Sequence, residues 1–573
     1  MSMFIDSVPN RKSPPTILLR ESFRKNGKSH KRTLANITTW PRHVIEGLEK
    51  LLHGKQLVSA ESLFDVKQSL PCGHVEAVLG TMRKLGLETL LSSVPGRMRN
   101  IVMGMIAERL LHPCSKLATT RLWNLTTLAE ELNITDATLD ETYAALDWLL
   151  ERQEGIENRL AKKHIDEGSL VLYDISSSYY EGSTCPLARY GHNRDGKKDR
   201  TIIVYGVMTD TEGRPISVDV YPGNTGDSTT IPDQVGKLDE RFNLSKVVVV
   251  GDRGMLTETQ IKKIKEHPGV GWISALRSGA IRRLVDGGTL QLSLFDKKNL
   301  AEISSPDYPG ERLIACYNPF LADERRKNRK ELLEATEKDL KKIVEQVKRH
   351  TKTPLSSSDI GVKAGKIINH YKMGKHFILT IAEGTFHYQR NEESIQREAE
   401  LDGMYIIRTS ETEEALAADD VVRNYKNLAR VERAFRCLKG VDVLIRPIYH
   451  RTAEHVRAHI FLCMLAYYVE WHMRTALAPM LFHDESLDET RMQRDPVVPA
   501  KISEAAQEKK NSRLTKDGLA LHSFNTLIQE LSTRSRHRCK MNSVPDKNVF
   551  IHKITEPSPV QAKAFQLLGL CIQ

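Results

Sequence analysis

The chain has no cysteine pair at metal-binding or redox spacing. Its eight cysteines, Cys72, Cys114, Cys185, Cys316, Cys437, Cys463, Cys539 and Cys571, are scattered, and no two form a CxxC motif. This argues against a zinc site or a disulfide framework and for buried free thiols in a reducing compartment. Long apolar runs are also missing. The longest, Ile460 to Val469, is too short to span a bilayer and is flanked by His459 and Glu470. The N-terminus lacks the apolar core of a signal peptide. A soluble, cytoplasmic protein with no membrane partner is expected. No internal repeat or low-complexity tract is present.

Apolar residues make up 40% of the 573, enough for ordinary cores in about three or four domains. Charge is unbalanced, with 84 Lys and Arg against 73 Asp and Glu, a net +11. That excess favours a polyanionic partner, nucleic acid foremost.

Residues 1–40 form a basic arm whose Asn26-Gly27 turn predicts a hairpin between short strands. Residues 41–167 carry helix-period apolar positions, as in Val75 to Leu91 and Arg99 to Leu111, without a helix-turn-helix signature. They are expected to form a helical, DNA-end-binding domain or a scaffold packed on the core. Residues 168–277 change to strands, at Leu170–Ile175, Thr201–Thr209, Ile216–Tyr221 and Lys246–Val250, with a helix over Ile231–Phe242. This order suits a mixed α/β sheet covered by helices. Residues 278–400 read as an inserted, largely β subdomain. It has a charged helix over Asp323–Arg349 and strands at Lys366–Tyr371, Phe377–Ile381 and Phe386–Arg390. Residues 401–480 return to the core through the strand Tyr405–Arg408, a helix over Tyr425–Lys439 and an apolar helix over His455–Met473. Residues 481–573 are polar, with a basic cluster at Arg534, Arg536, Arg538 and Lys540, and suit dimerisation or DNA contact.

Three acids stand out. Asp174 and Asp252 each follow a hydrophobic strand, and Glu432 lies in a helical stretch. A lone acid after a strand is more often a cap or turn former. Two at corresponding strand ends, with a third on a helix, can hold Mg²⁺ or Mn²⁺; an oxygen-only ligand set argues against zinc. Such a site can activate water or a 3′-hydroxyl at a phosphodiester. On one continuous helix, Tyr425, Glu432 and Lys439 share a face at seven-residue steps, and Arg436 joins them four residues after Glu432. An ordinary surface pair between Glu432 and Arg436 is the plainer alternative. Asp227 is well placed to cap the helix that follows it.

Several blocks together carry a resemblance. They are Tyr173-Asp174-Ile-Ser-Ser-Ser-Tyr-Tyr-Glu-Gly182, Gly191-His-Asn-Arg194-Asp195-Gly-Lys-Lys-Asp199-Arg200, Pro222-Gly223-Asn224-Thr-Gly-Asp227, Val250-Gly-Asp252-Arg253-Gly254, Asp402-Gly403, the Tyr425 to Lys439 stretch, and Arg446-Pro447-Ile448-Tyr-His450. In this order they resemble bacterial insertion-sequence DDE transposases of the cut-and-paste group, with a Tyr–Arg–Glu–Lys signature and a β insertion. The resemblance implies a ribonuclease H-like catalytic core interrupted by the insertion, and two Mg²⁺ ions held by Asp174, Asp252 and Glu432. It implies that Tyr425 and Lys439 contact DNA phosphates. The signature's arginine position is Leu428 here, so Arg436 or Arg253 would supply that charge. Expected partners are the element's terminal inverted repeats and target DNA, bound by a homodimer in the bacterial nucleoid. A hairpin at the element end is the implied route to double-strand cleavage. Two alternatives stay open: a ribonuclease H-like nuclease without strand transfer, and a non-catalytic DNA-binding derivative.

Overall fold

A computed structural model describes residues 2–571 except 12, 56–63, 198, 245, 296–297, 441, 500 and 542–548. The chain divides into two units. The first comprises residues 1–70 and 535–556, and the second comprises 71–534 and 557–573.

In the first unit, β1 (Ser2–Val8), β2 (Thr16–Lys25) and β3 (Lys28–Asn36) form an antiparallel sheet. The expected Asn26-Gly27 turn joins β2 to β3, pairing Lys25 with Lys28. Both turn residues have positive φ, 53° and 76°, the conformation of a two-residue hairpin turn that Asn and Gly tolerate best. The expected hairpin thus gains a third strand. The helix Arg42–Leu52 follows. A second three-stranded sheet pairs β4 (Phe64–Pro71) with β15 (Ser535–Met541) and β16 (Phe550–Ile554), in the order β16-β15-β4.

The second unit is mixed α/β, built on one eight-stranded sheet. Its strands are β5 (Leu170–Tyr179), β6 (Ile202–Thr209), β7 (Pro215–Pro222), β8 (Val247–Val250), β9 (Val270–Ala275), β10 (Leu300–Ile303), β11 (Arg312–Tyr317) and β14 (Met404–Thr409), ordered β10-β11-β14-β9-β8-β5-β6-β7. Strands β5, β6 and β7 form an antiparallel meander; β8 and β9 run parallel to β5. The four valines of β8 are all buried, as a parallel strand covered on both faces requires. The helix Ala453–Ala476 is apolar nearly all round and lies in the core, where the helices Arg97–Leu111 and Leu139–Leu150 pack on it. Every residue from Ile101 to Leu111 is buried, so that helix is scaffold and offers no face to a ligand. Among the described residues no helix is long and apolar enough to cross a membrane.

The insertion differs from expectation. Its β10 and β11 extend the main sheet through β14, and most of the remainder is helical. Lys366–Tyr371, expected as a strand, ends the helix Ser357–Tyr371. Ile367 and Ile368 suggest β locally. Over fifteen residues, however, Ile360, Ala364, Ile367, Ile368 and Tyr371 repeat at helical period, and Ser356 caps the start. This helix, the helix Pro319–Arg349 and the hairpin β12 (Phe377–Ala382)–β13 (Thr385–Arg390) enclose a separate small core around Leu333, Leu340, Ile360 and Phe386.

Truncating Leu462 in the central helix to Ala should cost about 2–5 kcal/mol, whereas Leu332→Ala, on the outer face of the long helix, should change stability by less than about 0.5 kcal/mol. Denaturant titration of the two variants checks this. Similar losses at both sites would contradict the assigned faces.

Candidate active site

Parallel pairing of β5 with β8 brings the two aspartates together. Leu170, Val171 and Leu172 each pair with the residue 78 positions on, Val248, Val249 and Val250, and the same step from Asp174 lands on Asp252. Neighbouring strands lie about 4.8 Å apart, so this register brings Asp252, two residues past the end of β8, near Asp174 on β5. Strand β5 continues past Asp174 to Tyr179, so that residue is internal to a strand and not at its end. Asp252 begins a tight turn, its Oδ1 accepting from the amides of Gly254 (2.6 Å) and Met255 (2.9 Å). Asp174 Oδ1 accepts from its neighbour Ile175 N at 2.8 Å. Each aspartate thereby commits one oxygen to the backbone.

Glu432 arrives from the helix Leu428–Lys439, which packs across β5 and β6 through Val431, Ala434, Phe435 and Leu438. Phe435 meets Tyr205 of β6 edge to face, ring centroids 5.8 Å apart. That buried stripe leaves Glu432, Arg433 and Arg436 exposed. The three acids sense one another. Burial, with Asp252 and Glu432 adding repulsion, pushes the Asp174 carboxyl up to about 7, against the pull of Arg194. Their oxygens do not all lie within 4.8 Å of one another, a convergence that the described residues reach only at Cys437, Asp442 and Glu470. There Arg474 already bonds both carboxylates, at 2.5 Å to Glu470 and 3.1 Å to Asp442, as a structural ion pair. The all-oxygen set of Asp174, Asp252 and Glu432, in which burial first and the neighbouring acids second raise the Asp174 carboxyl, fits a Mg²⁺ or Mn²⁺ ion.

The helix expected over Tyr425–Lys439 is two helices, Ala418–Lys426 and Leu428–Lys439, meeting at Asn427. The seven-residue phasing of Tyr425 therefore fails, because it assumed one unbroken helix. Tyr425 still reaches the acids: burial and the charges of Asp252 and Glu432 push its phenol up to about 12, with Arg253 opposing. Tyr425 and Arg253 line one small cleft, and Arg253, Arg277, Arg283 and Arg408 line another. Arg408 is committed to Glu258 and Glu311. Leu428, at the departure from the family signature, packs against the core. The Arg436 guanidinium forms no hydrogen bond or ion pair among the described residues, while that of Arg430 donates to Thr211 O at 2.6 Å.

Lys439 is held by a residue given little weight in the sequence. Its Nζ lies 3.2 Å from Asp195 Oδ1, and Arg446 pairs with the same carboxylate. Asp195 Oδ2 accepts from Tyr179 N at 3.1 Å, and its side chain is only 2% exposed. Burial holds the Lys439 ammonium below its usual range despite Asp195. Next to Asp195, Arg194 bonds Asp227 at 2.6 Å. Asp227 is thus an ion-pair partner and not a cap; Gly226 holds the cap position, with no side-chain bond. The loop carrying Arg194 and Asp195 is pinned by glycine. A Cβ at Gly191 would lie 2.0 Å from Gly223 O, and one at Gly223 would lie 2.1 Å from Ile202 O, which explains glycine in both motif blocks. Spacing could not reveal Arg194, Asp195, Arg277 or Arg446, because each reaches the site through tertiary packing; Arg194, Asp195 and Arg446 lie in motif blocks, and Arg277 lies in none.

The sequence model of the family described as "Transposase DDE domain" matches residues 168–469. No curated protein matches the chain. Among solved structures, the chain is similar to a cryo-EM structure of a piggyBac transposase synaptic complex with hairpin DNA. That match has 10% identity and a TM-score of 0.32, and covers 80% of this chain and 76% of the other.

The raised Asp174 pKa has a definite sign in stability. Ionising this carboxyl opposes folding: the penalty is absent below its ordinary value of 3.8, grows as pH rises, and is complete above about 7. In EDTA, Asp174→Asn should therefore raise the thermal midpoint at pH 8, with the gain shrinking towards pH 5. A loss at pH 8, or an equal gain at both pH values, would contradict the burial of this carboxyl beside the other two acids.

Proposed function

The chain belongs to the transposase DDE domain family, and from that premise we propose that it is a bacterial insertion-sequence transposase working by cut and paste. The register that sets Asp174 beside Asp252, with Glu432 delivered by the crossing helix, is the observation that carries this. We read β5 to β9 as a ribonuclease H-like core, with Asp174, Asp252 and Glu432 as ligands of two Mg²⁺ ions. When bound, Mg²⁺ supplies charge stabilisation for in-line displacement at phosphorus.

The chain's own residues supply the remainder. Lys439 and Tyr425 are suited to the scissile strand's phosphates, with Arg436 and Arg253 supplying charge that the signature's missing arginine would have given. The exposed, unpaired guanidinium of Arg436 supports its part in this. Asp195 orients Lys439 from behind, and Arg194 offsets negative charge at Asp174. The substrates are the element's terminal inverted repeats. A nick at each end exposes a 3′-hydroxyl, a hairpin at the end completes double-strand cleavage, and the freed end joins target DNA. Holding two ends together calls for a homodimer on DNA in the nucleoid.

Purified protein with Mg²⁺ and a duplex carrying the element's ends should give end-specific nicks and a joined product. Glu432→Ala should abolish both, and Lys439→Ala should weaken nicking about 10- to 100-fold, the worth of a charged hydrogen bond. Nicking retained by Glu432→Ala would remove the triad. Cleavage with no joined product would leave a nuclease. Binding without cleavage would leave a DNA-binding derivative.

A further inference from the structure

The net charge of the protein is concentrated in its smaller unit. Residues 1–70 and 535–556 carry 17 Lys and Arg against 8 Asp and Glu, whereas the rest of the chain carries 67 against 65. Almost all of the +11 thus falls on a unit that holds none of the triad. The unit carries two basic strand segments far apart in sequence, the β2–β3 ribbon in one sheet and β15 in the other.

The cations are displayed on strands. β1 pairs with β2 only as far as Ser22, opposite Ser2, so β2 and β3 continue beyond it as a two-stranded ribbon ending at Asn26-Gly27. Arg24, Lys25, Lys28, Lys31 and Arg32 on this ribbon are all exposed. Arg24, Lys25 and Lys28, grouped at the tip, form no ion pair among the described residues, while Arg32 and Lys31 pair back to Glu21 and Asp6. On β15, Arg536, Arg538 and Lys540 alternate, so they share one face, and opposite them on β16 stand Ile554, His552 and Phe550. Arg538 lies 4.1 Å over the Phe550 ring, which is 37% exposed.

Burying the unpaired cations of the ribbon tip, Arg24, Lys25 and Lys28, in an interface is favourable only against a polyanion. The geometry narrows the choice. The DNA major groove, about 12 Å wide, admits a two-stranded β-ribbon, and phosphates flank it on both sides. We propose that this unit is the duplex-DNA-binding module of the protein, with the β2–β3 ribbon entering the major groove and the basic face of β15 contacting phosphates. This rests on the transposase function proposed above for the meaning of binding, but not for its measurement. It moves DNA-end recognition away from the helices of residues 71–167, whose central member is buried scaffold.

The test uses the full-length protein, a labelled duplex carrying the element's terminal sequence and a mixed-sequence duplex, in EDTA. One variant combines Arg24→Gln, Lys25→Gln and Lys28→Gln; a second combines Arg538→Gln and Lys540→Gln. A control combines Lys338→Gln, Lys341→Gln and Lys348→Gln, exposed cations of the long helix. Each test variant should bind about tenfold or more weakly. The slope of log affinity against log salt should flatten by about 0.9 for each phosphate that is no longer neutralised. The control should change neither. Unchanged affinity and slope in both test variants, or an equal loss in the control, would overturn the assignment. Nicking with Mg²⁺, measured separately, distinguishes the two proposals. Wild type that binds through these cations but never nicks defeats the transposase function and leaves the module standing. Wild type that nicks while the test variants bind normally does the reverse.

Discussion

The parallel ladder between β5 and β8 imposes the condition on which the site depends. Hydrogen bonds from Leu170 to Leu172 fix the register, and that register leaves two carboxylates side by side whether or not their charges agree. A one-residue slip would send every side chain of β8 to the opposite face of the sheet and carry Asp252 out of step with Asp174. The surroundings absorb the conflict in three ways. Backbone amides take one oxygen of each aspartate, Arg194 counters Asp174, and partial burial keeps that carboxyl protonated to an unusually high pH. A site strained in this way is stabilised by any cation that enters it.

Where the elements fall was partly legible beforehand, and the differences have physical causes. The four valines of β8 and the apolar helix Ala453–Ala476 are long, uniform signals, and both emerged near their expected bounds. Asp174 and Asp252 could be picked out because each follows such a run. Their adjacency, however, depends on pairing across 78 positions, which local patterning suggests but cannot establish. The break at Asn427 escaped notice because both flanking helices have good helical residues, and nothing between them is a helix breaker. In the insertion, a six-residue β signal was outweighed by a fifteen-residue helical period. No local pattern marks β9, and the membership of β10 and β11 in the main sheet, outside the expected separate subdomain, is set by long-range pairing.

Around the acids, cations are held by acids that stand further back. Asp195 gathers Lys439 and Arg446, and Asp227 gathers Arg194. A long flexible side chain held by a buried carboxylate loses less freedom when it meets a phosphate, because much of its ordering has already occurred in folding. The buried carboxylate also lessens the repulsion between neighbouring cations. Leu428 packs against the core at the start of its helix, and the positive charge near the acids comes from other segments, Arg194 and Arg253.

The basic unit is assembled from the two ends of the chain, and that has a consequence for biogenesis. Its second sheet needs β15 and β16, which leave the ribosome only after nearly all of the catalytic unit has been made. Synthesis runs from the N-terminus and domains fold as they emerge, so β4 waits as an unpaired edge through most of translation. A message truncated just upstream of residue 535 thus still encodes the whole sheet that carries the two aspartates, but it lacks two of the three strands of the basic unit's second sheet and the helix Pro559–Leu568 of the larger unit.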